Sequence, residues 1–118
     1  MITHQAFSFV EGGGVCSPKG FMASGVAAGV KESGKPDVAL LLSEKVASVA
    51  ATFTPSHFAA APVLVCQERL NHSQQLRAVV VNSGNANCCT GETGMTDAEE
   101  MTRLAAKELD NDRSQVLV

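Results

Sequence analysis

The chain has 118 residues and a net charge of −3, and its lysines and arginines are scattered singly, which disfavours a nucleic-acid partner. No apolar run approaches the roughly 20 residues that a membrane span requires, so we expect no membrane association. The hydrophobic fraction of 45% excludes a disordered tail, but the chain has no Trp or Tyr and only five Phe. Because Ala and Val side chains each bury little area, we expect the chain to need a partner surface.

The N-terminus and the cysteines indicate the compartment. The first residues lack both the basic and the apolar segment of a secretion signal, and they lack the Arg-rich composition of a transit peptide, which predicts a cytoplasmic protein. The four cysteines are Cys16, Cys66, Cys88 and Cys89. They contain no C-x-x-C pair, so the pattern predicts reduced, mostly buried thiols and neither a disulfide scaffold nor a metal site.

The first half of the chain indicates loops and short strands. Residues 1–10 fit either an edge strand or an ordered tail, and the glycines that follow predict a loop. The apolar, Gly- and Ala-rich segment Phe21–Val30 predicts a strand with close backbone approaches. Asp37–Ser43 and Val46–Phe53 predict two strands of an antiparallel hairpin, joined by the two residues Glu44 and Lys45.

The second half of the chain predicts two helices and a buried strand. A proline that fits the first helical turn predicts a helix over residues 60–71. The continuous β-branched end of Leu76–Val81 indicates a fully buried strand. Thr96, followed three residues later by Glu99, matches a capping box and predicts an amphipathic helix that ends near Leu109.

The end of the chain bears on domain organisation. Gln115–Val118 has the composition of a buried strand, and the chain stops there. Either this strand is a terminal edge of the sheet or the chain ends inside a domain, and because no linker is present we expect one domain, which in the second case is a single partial domain. Together the elements predict an α+β fold, with a mixed or antiparallel β-sheet layered with helices, as part of a larger α/β layered sandwich.

The segment Asn82–Gly91, with the sequence N-S-G-N-A-N-C-C-T-G, is the candidate functional segment because it follows a buried strand. Ligands in layered α/β proteins commonly lie at the ends of strands. Three asparagines there offer both a donor and an acceptor to a ligand, namely Asn82, Asn85 and Asn87. The same residue types are ordinary in turns, so a structural turn and a ligand contact both stay open.

The adjacent pair Cys88 and Cys89 falls inside this segment. A catalytic cysteine needs a base or a lowered pKa, and the sequence places no base near the pair. The pair therefore predicts small buried residues in a tight turn.

Six short segments, in order along the chain, carry a family resemblance. They are Gly13-Gly14-Val15, Pro18–Phe21, Ala23–Lys31, Lys35–Leu40, Ala60–Val63 and Val80–Asn87 with Thr90-Gly91. These segments resemble the ornithine acetyltransferase family, the bifunctional glutamate N-acetyltransferases of arginine biosynthesis. The match runs from about Gly12 to Val118, and Asn82–Asn87 is its most diagnostic block.

The resemblance implies a precursor that cleaves itself before a Thr into an α chain and a β chain. The freed Thr attacks N-acetylornithine, and the acetyl group then passes from the enzyme to glutamate. A Thr-Gly pair supplies the oxyanion hole. Some members also accept acetyl-CoA, and no other cofactor is expected. The partners implied are the remainder of the α chain and the β chain, in an α2β2 hetero-oligomer.

No catalytic residue of the family falls on this chain. The family's Thr-Gly pair and nucleophile follow the strand that Gln115–Val118 resembles, and Thr90-Gly91 and Thr93-Gly94 precede the second helix instead. Three residues are therefore expected to support the substrate region from behind, namely Asn82, Asn85 and Asn87. We expect this part of the chain alone to be inactive. Two alternatives stay open: an autoprocessing aminopeptidase or amidohydrolase of related fold, and a non-enzymatic small-ligand binding module.

Overall fold

The protein is described here by a computed structural model that covers residues 8–118. Its elements, in chain order, are β1 Phe21–Val26, β2 Val38–Ser48, α1 Ala61–His72, β3 Gln75–Asn82, α2 Gly91–Glu108, a 3-10 turn Arg113–Gln115 and β4 Val116–Leu117. Residues 1–7 of the predicted edge strand or tail lie outside the described residues. Residues 8–10 form neither strand nor helix.

The four strands form one mixed sheet in the order β1-β2-β3-β4. The pairs β1–β2 and β2–β3 are antiparallel, and β4 runs parallel to β3. A parallel pair needs a crossover connection, and α2 provides it between β3 and β4. The predicted α+β fold, with a mixed sheet layered with helices, is confirmed.

The core lies between α2 and one face of β2 and β3. Leu40 pairs with Val80 across the two strands, so both side chains point to the same face. There Val80 packs with the buried Ala106 of α2. The helix α1 packs beside α2, where the fully buried Val65 meets Ala98. The buried apolar residues are mostly Ala and Val, as the composition predicts.

Glu44 and Lys45 lie inside β2, so the predicted hairpin is wrong. The strand continues through them to Ser48, and a bulge accommodates the extra residues. Leu42 pairs with Ala78 and Ala47 pairs with Leu76. An advance of five residues along β2 therefore lies opposite an advance of only two residues along β3. The Arg77 side chain donates from Nε to the Ser43 carbonyl oxygen at 3.0 Å, which satisfies an acceptor where the regular pairing is interrupted.

The helix α2 begins at Gly91, so the capping box predicted at Thr96 and Glu99 is wrong. Thr96 lies within the helix, and its hydroxyl donates to the Glu92 carbonyl oxygen at 3.0 Å. The Glu99 carboxylate pairs instead with Arg69 at 2.6 Å. The prediction failed because the first helical turns contain two glycines, which disfavour a helix by about 1 kcal/mol each in isolation.

Three further elements are confirmed within small boundary shifts, namely α1, β3 and β4. The prediction that β3 is fully buried is wrong, because only alternate residues of the strand are buried and Val81 is 47% exposed. The predicted strand Phe21–Val30 is shorter in the structure, because β1 ends at Val26. The residues after Val26 turn away from the sheet to hydrogen-bond the carboxylate of Asp37.

Candidate functional site

The candidate segment joins the end of β3 to the beginning of α2. Asn82 is the last residue of β3 and Gly91 is the first of α2, so residues 83–90 form a short connecting loop. We call residues 82–91 the asparagine loop. Three positive backbone angles shape it, at Gly84 (φ 97°), Cys89 (φ 57°) and Gly91 (φ 63°). Glycine tolerates such an angle freely, whereas at Cys89 the surrounding contacts must hold it.

Two of the three asparagines bond within the loop and its adjoining helix. Asn82 is partly buried and donates from Nδ2 to the Asn85 carbonyl oxygen at 3.1 Å, so these two residues are brought together. Asn87 is also partly buried, but it faces α2 instead. Asn85 has an exposed side chain. The turn interpretation therefore accounts for the amides of Asn82 and Asn87.

Asn87 is the centre of a small polar clasp, which we define as Asn87, Thr90 and Gly94. The Asn87 amide donates to the Gly94 carbonyl oxygen at 2.7 Å, and its Oδ1 accepts from the Thr90 hydroxyl at 2.5 Å. The buried Gly94 lies against both side chains, and a Cβ atom at Gly94 would stand 2.7 Å from Thr90 Cβ. The clasp therefore fixes the end of the loop to the first turn of α2.

A second loop, residues 27–36, supports the asparagine loop through Asp37. The side chain of Asp37 is buried, and its two oxygens accept from the backbone N–H groups of Ala28 at 2.6 Å and Lys31 at 2.8 Å. Its backbone carbonyl accepts from the Ser83 N–H at 2.8 Å. The Lys31 N–H, followed by that of Ala28, lowers the pKa of the Asp37 carboxyl below its ordinary value.

Gly84 is the point at which the two loops touch. A Cβ atom at Gly84 would lie 2.6 Å from Lys31 Cγ, so only glycine fits without displacing the lysine. The Lys31 ammonium donates to the Pro36 carbonyl oxygen at 3.1 Å, within its own loop. Sequence reasoning missed Lys31 and Asp37. The signal available was an Asp directly before a buried strand and after a Gly- and Pro-containing turn.

The cysteines depart from the prediction of buried thiols. Cys66 alone is buried, whereas Cys16, Cys88 and Cys89 are exposed. The Sγ atoms of Cys88 and Cys89 are 3.8 Å apart, and the Cys89 thiol raises the pKa of Cys88. A raised pKa disfavours the thiolate that a nucleophile needs. Within residues 8–118, no three His, Cys, Asp or Glu side chains converge on a common point.

Arg69 forms a buried polar centre that sequence reasoning also missed. Its guanidinium donates to the Glu99 carboxylate at 2.6 Å, to the Thr102 hydroxyl at 2.7 Å and to the Arg113 carbonyl oxygen at 2.9 Å. It also donates to the Val116 carbonyl oxygen. One side chain thereby ties together both helices, the 3-10 turn and β4.

An apolar groove of about 420 Å³ lies between the sheet and α2. Val26, Leu40 and Leu104 are among its lining residues, and Val26 and Leu104 are each about half exposed. The three asparagines do not line this groove. The polar loop and the apolar groove are therefore separate features of the described residues.

The sequence of this chain matches one family model, the ArgJ family, over residues 22–118. The chain belongs to the ArgJ family. It is similar to the arginine biosynthesis bifunctional protein ArgJ of Bacillus licheniformis, with 52% identity over 97 residues that make up 82% of this chain and 24% of that protein. The ArgJ protein of Bacillus subtilis is 50% identical, with the same two shares.

Two solved structures of the same family share the fold. The crystal structure of the arginine biosynthesis bifunctional protein ArgJ from Bacillus halodurans superposes with a TM-score of 0.88 at 39% identity, covering 92% of this chain and 56% of that chain. Ornithine acetyltransferase from Mycobacterium tuberculosis, solved in complex with ornithine, gives a TM-score of 0.83 at 42% identity, with shares of 89% and 57%. The family resemblance seen in the motifs is thereby confirmed.

The chain spans only part of its relatives, from 24% to 26% of the length of the ArgJ proteins it matches. Neither helix within residues 8–118 has the length and apolar character needed to cross a bilayer.

Proposed function

We propose that this chain is the N-terminal part of an acetyltransferase that moves an acetyl group from N-acetylornithine to glutamate in arginine biosynthesis. The observation that carries the proposal is the family membership, since the chain is about half identical to bifunctional ArgJ proteins and shares its fold with an ornithine acetyltransferase solved with ornithine. The reaction belongs to the complete protein, because this chain is a minor part of its relatives' length.

The proposed reaction has two balanced steps. A Thr oxygen attacks the acetyl carbonyl of N-acetylornithine, the C–N bond breaks, and the ornithine amine leaves with the proton. The amine of glutamate then attacks the acetyl ester, and the Thr oxygen recovers its proton. The resemblance assigns this Thr and the oxyanion hole to sequence after Val118, and it allows acetyl-CoA as a second donor.

The role proposed for the asparagine loop is support of the substrate region from behind. Asn82 and Asn87 set the loop's shape through the hydrogen bonds described above, and the exposed Asn85 is the member free to turn outward. In the complete protein, Asn87→Ala is expected to lower kcat by about tenfold or more, since small displacements near a reacting centre are costly. Asn71→Ala, at an exposed position on α1, is the matched control.

The decisive experiment compares the complete gene product with this 118-residue chain. Purified complete protein should release ornithine and form N-acetylglutamate when it receives N-acetylornithine and glutamate, and the short chain should not. A parallel reaction with acetyl-CoA tests that donor. Hydrolysis of peptides or amides without acetyl transfer would overturn the proposal in favour of a related hydrolase.

The remaining parts of the proposal concern assembly and location. We propose a cytoplasmic α2β2 hetero-oligomer in which this segment belongs to the α chain. Denaturing mass spectrometry should show two chains from one precursor, and sedimentation should give the mass of two copies of each. A single uncleaved chain that retains full activity would contradict this assembly.

A further inference from the structure

Two exposed thiols lie side by side on the asparagine loop. The Sγ atoms of Cys88 and Cys89 are 3.8 Å apart, and both side chains reach the surface. The acetyl-transfer reaction proposed above uses neither of them. A pair of adjacent thiols has a chemistry of its own, because two sulfur atoms can bind one acceptor together.

The polar clasp holds this pair in place from both sides. Asn87 precedes the cysteines and Thr90 follows them, and their side chains are joined at 2.5 Å. Asn87 is in turn bonded to Gly94 of α2 at 2.7 Å. Cys89 adopts the left-handed backbone region between these fixed ends. The backbone that carries the two adjacent thiols is therefore held by the clasp.

The geometry disfavours a disulfide between the two cysteines. Adjacent Cα atoms are only about 3.8 Å apart, whereas disulfides usually span about 4.4–6.8 Å between Cα atoms. A single atom that bonds both sulfurs fits better. Two bonds of about 2.3 Å, the length of a zinc–thiolate bond, place the sulfurs roughly 3.4–3.8 Å apart for angles between about 95° and the tetrahedral value.

The number of donors separates the possible acceptors. Zinc is almost always held by four ligands in structural sites, and within residues 8–118 no three metal-binding side chains converge. An acceptor that needs only two thiolates is compatible with the pair. Trivalent arsenic with one organic substituent has this requirement, because it completes its three bonds with two sulfurs.

We propose that Cys88 and Cys89 form a two-thiol binding site for trivalent arsenicals, preorganised by the Asn87–Thr90 clasp. An organoarsenic oxide, R–As=O, reacts with the two S–H groups to give R–As with two As–S bonds. The arsenic–oxygen bond breaks, and its oxygen leaves as water with both thiol protons. No atom changes oxidation state in this exchange, so no oxidant or reductant is required.

Phenylarsine oxide is the probe for the test, applied to the reduced complete gene product. After washing with a monothiol, the native protein should retain one additional phenylarsenic group per chain compared with Cys88→Ser or Cys89→Ser. Cys16→Ser, which removes another exposed thiol, is the matched control and should change nothing. Intact-mass spectrometry counts the bound groups.

A second measurement separates the folded site from two cysteines that are merely adjacent in sequence. Preorganisation should make the affinity of the folded protein at least about tenfold tighter than in urea, and Thr90→Val should remove most of that difference. Equal affinity in the folded and unfolded states would overturn the proposal. So would retention of the same number of phenylarsenic groups in Cys88→Ser. Neither result bears on acetyl transfer, which is assayed separately.

Discussion

Gly94 shows how a single hydrogen atom in place of a methyl group decides a local structure. It is buried in the first turn of α2, against Asn87 and Thr90. Replacing a helical glycine by alanine normally stabilises a helix by about 1 kcal/mol. Here the new methyl group would collide with the other two members of the clasp, Asn87 and Thr90, and overpacking costs typically about 1–3 kcal/mol.

We therefore predict that Gly94→Ala destabilises the protein, although the higher helix propensity of alanine alone would stabilise it. The measurement is the urea midpoint of the complete protein, together with amide hydrogen exchange of the asparagine loop. Thr96→Ala is the comparison, because it also raises helix propensity but lies on the exposed side of α2. A Gly94→Ala protein that is as stable as the wild type or more so would show that the clasp is dispensable.

Asp37 leads to a prediction about pH. Backbone N–H groups lower the pKa of its carboxyl, so the folded state binds this proton less tightly than the unfolded chain does. The stabilisation is therefore fully present above the ordinary Asp pKa of about 3.8 and is lost as pH falls through the lower folded value. Asp37→Asn removes this titration, so its urea midpoint should fall less steeply between about pH 5 and pH 2.5 than that of the wild type.

The comparison for Asp37 is Asp97→Asn, an exposed aspartate of α2. In this variant the urea midpoint should fall with decreasing pH as steeply as it does in the wild type. At neutral pH, Asp37→Asn should also raise hydrogen exchange in residues 27–36, because one amide nitrogen replaces an acceptor oxygen. Identical acid slopes in the wild type and Asp37→Asn would contradict the assignment.

At the scale of elements, the sequence predicted those that are fixed by their own residues. The β-branched run of β3 and the proline of α1 identify these elements without reference to the rest of the chain. The bulge in β2 involves a partner far away in sequence, the Arg77 side chain, and local patterns contain no information on such a contact. The early beginning of α2 is different, because Asn87 and Thr90 lie just before it and their hydrogen bond leaves no standard capping pattern in the sequence.

The same distinction applies to the candidate site. The asparagine loop was identified from its residues alone, because Asn and Gly after a buried strand are a local signal. Asp37 and Lys31 lie more than 40 residues before it in sequence and were missed, although they contact its backbone. The family to which the loop belongs is shown by the family match and not by the residue pattern alone.

Arg69 is the residue through which the elements are joined, and its removal should affect all of them. Arg69→Ala leaves the Thr102 hydroxyl and the Val116 carbonyl oxygen without this partner in a buried region, at a cost of about 1–3 kcal/mol for each such group. We predict a loss of about 3 kcal/mol in the free energy of unfolding, measured by urea denaturation.

Two conservative variants rank the contributions within this centre. Arg69→Lys keeps the charge but cannot make the same four hydrogen bonds, so its loss should be intermediate. Glu99→Gln should cost below about 1 kcal/mol, because the Glu99 side chain is 35% exposed and ion pairs near water are weak. If Glu99→Gln destabilised the protein as much as Arg69→Ala, the ion pair would be the main contribution and the buried hydrogen bonds would be minor.

On the scale of the whole molecule, the apolar surface is incompletely covered. The radius of gyration is 16.3 Å, whereas a compact chain of this length has a value of about 13.5 Å. Met22 and Val26 of β1 are about half exposed on the face that α2 covers farther along the sheet. Small side chains elsewhere in the core add little buried area to offset this.

We therefore predict that the isolated 118-residue chain unfolds at low temperature and with weak cooperativity, as the low aromatic content also suggested. Scanning calorimetry and far-UV circular dichroism test this without relying on Trp or Tyr fluorescence. The complete protein should instead give a sharp transition, because partner surfaces stabilise the folded form by mass action. A sharp transition of the isolated chain at high temperature, with equal calorimetric and van't Hoff enthalpies, would contradict the prediction. The control adds the remainder of the complete protein as a separate chain. If the isolated chain lacks its partner surface, its transition temperature should rise with the concentration of the added chain.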